Sequence, residues 1–384
     1  MMYSTVIGRQ MLLRLVGVFA AIVLAFGTGA AAPALAAGGK MTVKKSKMNI
    51  QEVVSPGGIK AWLVEEHSVP LIALKFAFSG GSSQDPDGKE GVANFLTAML
   101  DEGAGDLDSA AFQERMEELA VRISFQDGRD TFYGNFQTLT ENREQAVELL
   151  RLALTKPRFD TSAVERIRAQ LAASLAFALK NPNQVASKAW VAAAFPNHPY
   201  GRPSSGTPES IATIGSDDLE AFRKRVFSRE HLSVTVVGDI DAKSLGALLD
   251  RVFADLPAKS DLKPVAPIKL AKDGKLDVIS LPVPQSVVVF GGQGIKRSDP
   301  DFIPAFVMNQ ILGGGGFNSR LMEEVREKRG LAYGVYSYLQ YYDSAEFFAG
   351  RVATKNEKVA ESLNVIKAEL NRMAEDGPTA KELE

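Results

Sequence analysis

A short motif occurs twice at a fixed spacing, and that repeat limits what this chain can fold into more than any single residue does. Asp85-Pro86-Asp87 and Asp299-Pro300-Asp301 each follow an expected strand and glycines, 214 residues apart. The same spacing relates Thr140, Asn142, Ala146 and Leu149 to Thr354, Asn356, Ala360 and Leu363. One tripeptide can recur by chance. A constant offset at two separated places argues for an internal duplication, so the second half is expected to repeat the fold of the first.

Around the first copy, short apolar runs at 59–64 and 71–78 are separated by a turn containing Pro70 and read as strands. A loop rich in Gly, Ser, Asp and Pro covers 79–91, and a helical pattern runs from Val92 to about Asp101. A helix headed by Ser109, strands at 121–125 and 131–138, and a helix after Asn142 follow. Further helices are expected near Thr161, whose Thr-Ser start would cap it, from Ser216, and over 242–253, with a strand at 231–237. Strands and helices come in blocks, which predicts an α+β fold of two homologous sheet-plus-helices halves. The first domain is expected over 41–256, a charged, Pro-containing linker over 257–275, and the second domain over 276–384. By the repeat arithmetic a complete second unit ends about 80 residues beyond position 384. The second half is therefore expected to be truncated, without the helices that would cover its sheet.

Composition narrows the function classes. The 384 residues are 45% hydrophobic and 23% charged, as in ordinary globular proteins that often divide into two domains at this length. Lys and Arg number 44 against 46 acidic residues, a formal balance of −2, so nothing recommends a nucleic-acid partner. The absence of cysteine excludes disulfides, thiol nucleophiles and thiolate metal sites. At the N-terminus, Arg9 and Arg14 precede or flank an apolar run over 15–26, and Ala34-Leu35-Ala36 fits a small-x-small cleavage site. The run is too short to span a bilayer comfortably. Residues 1–36 are expected to be a cleavable signal peptide that sends the mature chain to the periplasm without stable membrane insertion.

The segment Gly91-Val92-Ala93-Asn94-Phe95-Leu96-Thr97-Ala98-Met99-Leu100-Asp101-Glu102-Gly103 resembles the zinc helix of the pitrilysin/insulinase peptidase family, which carries the inverted motif H-x-x-E-H. Gly91, Ala93, Phe95, Leu96, Met99 and Leu100 match its frame. Asn94 and Ala98 stand where the resemblance places the two ligand histidines, and Thr97 where it places the general-base glutamate. The family's third ligand lies on a later helix resembling Glu165-Arg166-Ile167-Arg168, which here has no acid from Arg166 to Lys180. A catalytic zinc needs three protein ligands and an open position, and a Thr hydroxyl is no base at neutral pH. No metal is expected in this chain. The histidines, His67, His198 and His231, are dispersed and read as surface turn, loop and strand start. The loop Pro196-Asn197-His198-Pro199-Tyr200-Gly201 also resembles the family.

A second constellation follows in the repeat. Gly313, Gly314, Gly315, Gly316 and Phe317 precede a Glu/Arg/Lys-rich stretch ending in Gly330-Leu331-Ala332-Tyr333. The glycines lack the Gly-Lys-Ser/Thr ending of a phosphate loop and follow a helix-like segment, so a tight or flexible connection is the better reading. Read alone, Arg326 belongs to a solvated charged face and Tyr333 to an aromatic strand. The whole segment, however, resembles the C-terminal-half motif of the same family. That resemblance implies that Arg326 and Tyr333, seven positions apart, reach into a zinc site on a facing half, and that the glycines and Phe317 line the substrate chamber. It also implies a heterodimer in which a paralogous subunit holds the zinc and the pair cleaves peptides or small unfolded proteins. Two other readings stay open: a non-enzymatic scaffold or peptide-binding protein of the same fold, and an independent metallopeptidase with an unusual site.

Overall fold

Strand-forming residues alternate between core and solvent, and that alternation builds the first sheet. The computed structural model describes residues 49–270, 274 and 276–384, so the expected signal segment lies outside them. Strands β1 (Gln51–Val54), β2 (Lys60–Glu65) and β3 (Leu71–Ser79) come first. In β3, Ile72, Leu74, Phe76 and Phe78 are all buried. Helices α1 (Val92–Thr97) and α2 (Ser109–Glu118) precede β4 (Arg122–Asp127) and β5 (Thr131–Leu139). Then come α3 (Arg143–Thr155), α4 (Thr161–Ala178), α5 (Pro182–Ala194), α6 (Pro208–Thr213), α7 (Ser216–Val226), β6 (Ser233–Gly238) and α8 (Ala242–Phe253). The strands form a six-stranded sheet in the order β1-β2-β6-β3-β5-β4. Leu150 and Leu154 of α3 and Leu249 and Phe253 of α8 join the buried strand side chains in one core. Each such side chain stabilises by about 1.5–3 kcal/mol on leaving water.

The second half contains β7 (Gln285–Gln293), α9 (Phe302–Asn309), β8 (Ala332–Tyr341), β9 (Glu346–Lys355), α10 (Val359–Asp376) and α11 (Ala380–Leu383). Its sheet has the order β7-β9-β8 and repeats β3-β5-β4. The duplication is visible in the register. Arg122 of β4 pairs with Gln137 of β5, and 214 residues on, Tyr336 pairs with Arg351. The pairing of β7 slips by two: Ala73 faces Gln137, whereas Val289, not Val287, faces Arg351. In the first half β6 flanks the other side of β3. Among the described residues β7 has no strand on that side. A cavity of about 1140 Å³ opens there between β7, α5 and the segment containing Leu276, Val278 and Ile279.

The halves meet around Tyr200, which is fully buried with Phe195, Leu270, Ala345 and Phe347. Its hydroxyl donates to Asp130 Oδ1 at 2.7 Å and accepts from the Ser344 amide at 3.0 Å. The Asp343 amide reaches Asp130 Oδ2 at 3.0 Å. Residues 257–270 form neither helix nor strand but bond to both halves. The Gln84 carboxamide pairs with both backbone groups of Lys263, at 2.8 and 3.0 Å, and the Ile268 amide donates to Ser344 O at 2.9 Å.

Two local expectations change. Helix α1 stops at Thr97 and not near Asp101, because the Ala98 and Met99 amides bond three residues back, to Phe95 and Leu96, at 3.1 and 3.0 Å, which tightens the turn. At α4 the cap position is Asp160, and no side chain caps the helix, so the Thr-Ser start does not act as one.

Candidate functional site

Helix α1 carries the segment that resembles the zinc helix, and its start is well built. Gly91 opens it at φ +95°, with a would-be Cβ 2.9 Å from the Gly206 backbone, so only glycine fits. The buried Asp85 carboxylate accepts from the Gly91 amide at 2.7 Å and the Ala93 amide at 3.0 Å. Burial pushes the Asp85 carboxyl up to about 7, against the lowering effect of those two amides.

What α1 presents does not suit zinc. Asn94 donates its carboxamide N–H to Asp127 Oδ1 at 2.9 Å, and burial raises the Asp127 carboxyl against that bond. The Thr97 hydroxyl donates to Asn94 O at 2.7 Å, a common helix-internal bond that leaves it no catalytic role. Ala98 has no ligand atom. The Arg168 guanidinium of α4 lies 5.6 Å from the Phe95 ring centre of α1, so that helix brings a cation to α1 and not a carboxylate. Among the described residues no three His, Asp or Glu side chains come together to hold a metal ion. His67 is exposed, 2.6 Å from Asp239. His198 accepts from the Tyr200 amide at 3.2 Å through Nδ1 and reaches Ala266 O at 2.8 Å through Nε2, a structural tie. His231 is exposed beside Glu230.

The second constellation is brought together in space. The Arg326 guanidinium lies 4.6 Å from the Phe317 ring centre and 5.0 Å from that of Tyr333, within the range of cation–π attraction. Tyr333 is 85% exposed and Phe317 68%, so neither is a core residue. In the segment Met322–Glu327, Met322, Glu324 and Val325 turn inward and leave Arg326 on the outer side. Glu324 binds Lys328 at 2.7 Å and Arg329 at 2.6 Å. Arg326 has its acidic neighbour, Glu327, at 3.5 Å. Of the glycines, Gly313 is buried where β8 passes: a Cβ there would sit 2.5 Å from Ser337 Oγ. Gly314, Gly315 and Gly316 are exposed. The stacking of Arg326 on Phe317 was not legible in the sequence. Nine positions do not face each other on an α-helix, and the backbone between them is not one: it runs through a short 3₁₀ turn into a wide π-type helix. Asp127, the partner of Asn94 from a distant strand, left no sequence signal either.

Comparison with known proteins gives the family. Residues 62–208 match the insulinase (peptidase family M16) profile, and residues 213–384 match the peptidase M16 inactive domain. A crystal structure of a peptidase M16 inactive domain from Pseudomonas fluorescens is 32% identical, with a TM-score of 0.82, over 87% of this chain and 81% of that one. The non-peptidase homologue YmxG of Helicobacter pylori is 28% identical over 346 residues, 90% of this chain and 79% of the relative. Pitrilysin shares the fold at a TM-score of 0.67 and 18% identity, over 88% of this chain and 38% of its own. With the zinc ligands replaced and the family frame kept, the chain belongs to peptidase family M16, the insulinase family, as an inactive member.

Proposed function

We propose that this chain is the non-catalytic subunit of a heterodimeric periplasmic peptidase and lends Arg326 and Tyr333 to the metal centre of a zinc-binding paralogue. The reading rests on one contrast. The helix that should hold zinc carries Asn94, Thr97 and Ala98, while Arg326 and Tyr333 stand together at the surface with no core role. The Arg326 guanidinium supplies a fixed cation and a fork of donors for a substrate carbonyl. The Tyr333 hydroxyl donates to the oxyanion that develops as water attacks that carbonyl. Extended peptides or small unfolded proteins are the substrate class, added as a strand to a sheet edge of the partner, since main-chain pairing tolerates many sequences.

The test is hydrolysis of a quenched-fluorescent peptide library by the chain alone and mixed with a paralogue carrying H-x-x-E-H. The expected outcome is silence alone and activity in the mixture, reduced about 100-fold by Arg326→Ala or Tyr333→Phe without loss of assembly. Full activity in both variants refutes the two roles. The name of the Helicobacter relative, a non-peptidase homologue, favours a second reading, a scaffold or peptide-binding protein. Silence in the mixture would select it.

A further inference from the structure

We infer that Phe317 is a positioning residue, whose exposed ring is the platform that sets the Arg326 guanidinium beside Tyr333 as a receptor for a peptide carbonyl. The inference rests on the complementing-subunit reading, but its first measurement does not.

An arginine on a surface samples many rotamers and loses that freedom when it binds, so a site gains by fixing the side chain beforehand. Three observations show how this one is fixed. The Phe317 ring is the nearer of the two rings under Arg326, 4.6 Å against 5.0 Å. At 68% exposure Phe317 fills no core, so packing gives no other account of a large apolar side chain there. The backbone that carries it is set in place: Gly316 has φ +62° with nothing within 4 Å of a would-be Cβ, so glycine serves the conformation and not the space. After the ring, the Ser319 amide and hydroxyl both donate to Gly316 O, at 3.1 and 2.8 Å. With rings against the guanidinium and Glu327 3.5 Å from Nε, the N–H groups along its free edge are left for an acceptor in the guanidinium plane.

The experiment has two arms. In the first, the Arg326 side-chain Nε–H resonance of the full chain is compared in wild type, Phe317→Leu, Phe317→Tyr and Gly316→Ala. The expected result is a ring-current shift that falls to the Tyr333 contribution or below in Phe317→Leu, is reduced in Gly316→Ala and is restored in Phe317→Tyr. A resonance unmoved by Phe317→Leu overturns the platform. In the second arm the same variants are mixed with the zinc-bearing paralogue. Phe317→Leu is expected to lower kcat about tenfold at nearly constant KM, with rescue by Phe317→Tyr. A raised KM at unchanged kcat would make Phe317 a substrate contact and overturn the positioning role. A mixture that is silent even with wild type refutes the complementing-subunit reading, and the resonance comparison then decides the platform by itself.

Discussion

Asp85 and Asp299 hold the same place in the repeat and meet opposite surroundings. Asp299 is exposed and accepts from the Asp301 amide at 2.9 Å. Asp85 is buried, holds the two amides at the start of α1, and is pushed up to about 7. Its folded-state value lies above that of an exposed aspartate, near 3.9, so the folded chain binds the proton more tightly than the unfolded one. The stability that Asp85 contributes is therefore fullest below about pH 4 and is lost as pH rises through 7, on the order of a few kcal/mol in all. Asp127 and Asp101 are also raised by burial and titrate in the same direction. Comparing variants isolates Asp85: Asp85→Asn should flatten the decline of the urea midpoint between pH 4 and 7. Parallel declines in the two proteins would show that Asp85 does not titrate there. The loss of zinc ligands is also written residue by residue, because a metal's demand for donor atoms is a demand on residue type. Restoring the motif with Asn94→His, Thr97→Glu and Ala98→His should still leave less than one equivalent of zinc after dialysis against a chelator, read by metal analysis. The third ligand is missing from α4, which presents Arg168 against Phe95 of α1. A full, tightly held equivalent would contradict this.

Elements whose sequence carries a period were legible, and those shaped by tertiary contact were not. The run expected at 71–78 is β3, and the helix expected over 242–253 is α8. Helix α5 escaped notice because it has no buried residue and no clear polar face, although Asn181-Pro182 is a start signal: the Asn181 side chain accepts from the Asn183 amide. Strand β7 is where the repeat places a strand before Asp299, but its pairing slips by two, which depends on contacts the repeat does not carry. The stretch 257–270 lacked periodicity and forms no element, yet it is no loose tether. Gln84 is buried and binds the Lys263 backbone through both its oxygen and its nitrogen, as a neighbouring strand would. Gln84→Ala removes two part-buried hydrogen bonds and leaves the Lys263 groups without those partners. The expected cost is about 2 kcal/mol, together with faster tryptic cleavage after Lys259, since Pro264 protects the bond after Lys263. An unchanged cleavage rate would mean that other contacts hold the strap.

At the scale of the molecule, the duplication dictates the architecture and the interface decides whether the halves act as one body. The repeat was readable because a fold that closes around one core imposes the same apolar and turn positions on each copy. How the copies dock was not readable, because the residues that do it are unrelated by the repeat. Tyr200 comes from a loop of the first half and Ser344 from the β8–β9 turn, and Asp130 lies in the β4–β5 turn. Burial raises the Tyr200 hydroxyl, and the Asp130 carboxylate beside it acts in the same direction, so the group stays a donor across the physiological range. Tyr200→Phe keeps the ring against Phe195 and Tyr342 but takes the bonding partner from both Asp130 and the Ser344 amide. The expected loss is about 1–3 kcal/mol. Tyr200→Ala also removes the ring and should cost about 3–5 kcal/mol, concentrated where the halves meet. If that contact couples them, wild type unfolds in one calorimetric transition, Tyr200→Phe in one at lower temperature, and Tyr200→Ala in two, the first belonging to the smaller second half. A single transition in Tyr200→Ala, shifted no further than in Tyr200→Phe, would mean that the strap and not the Tyr200 cluster makes the halves one body.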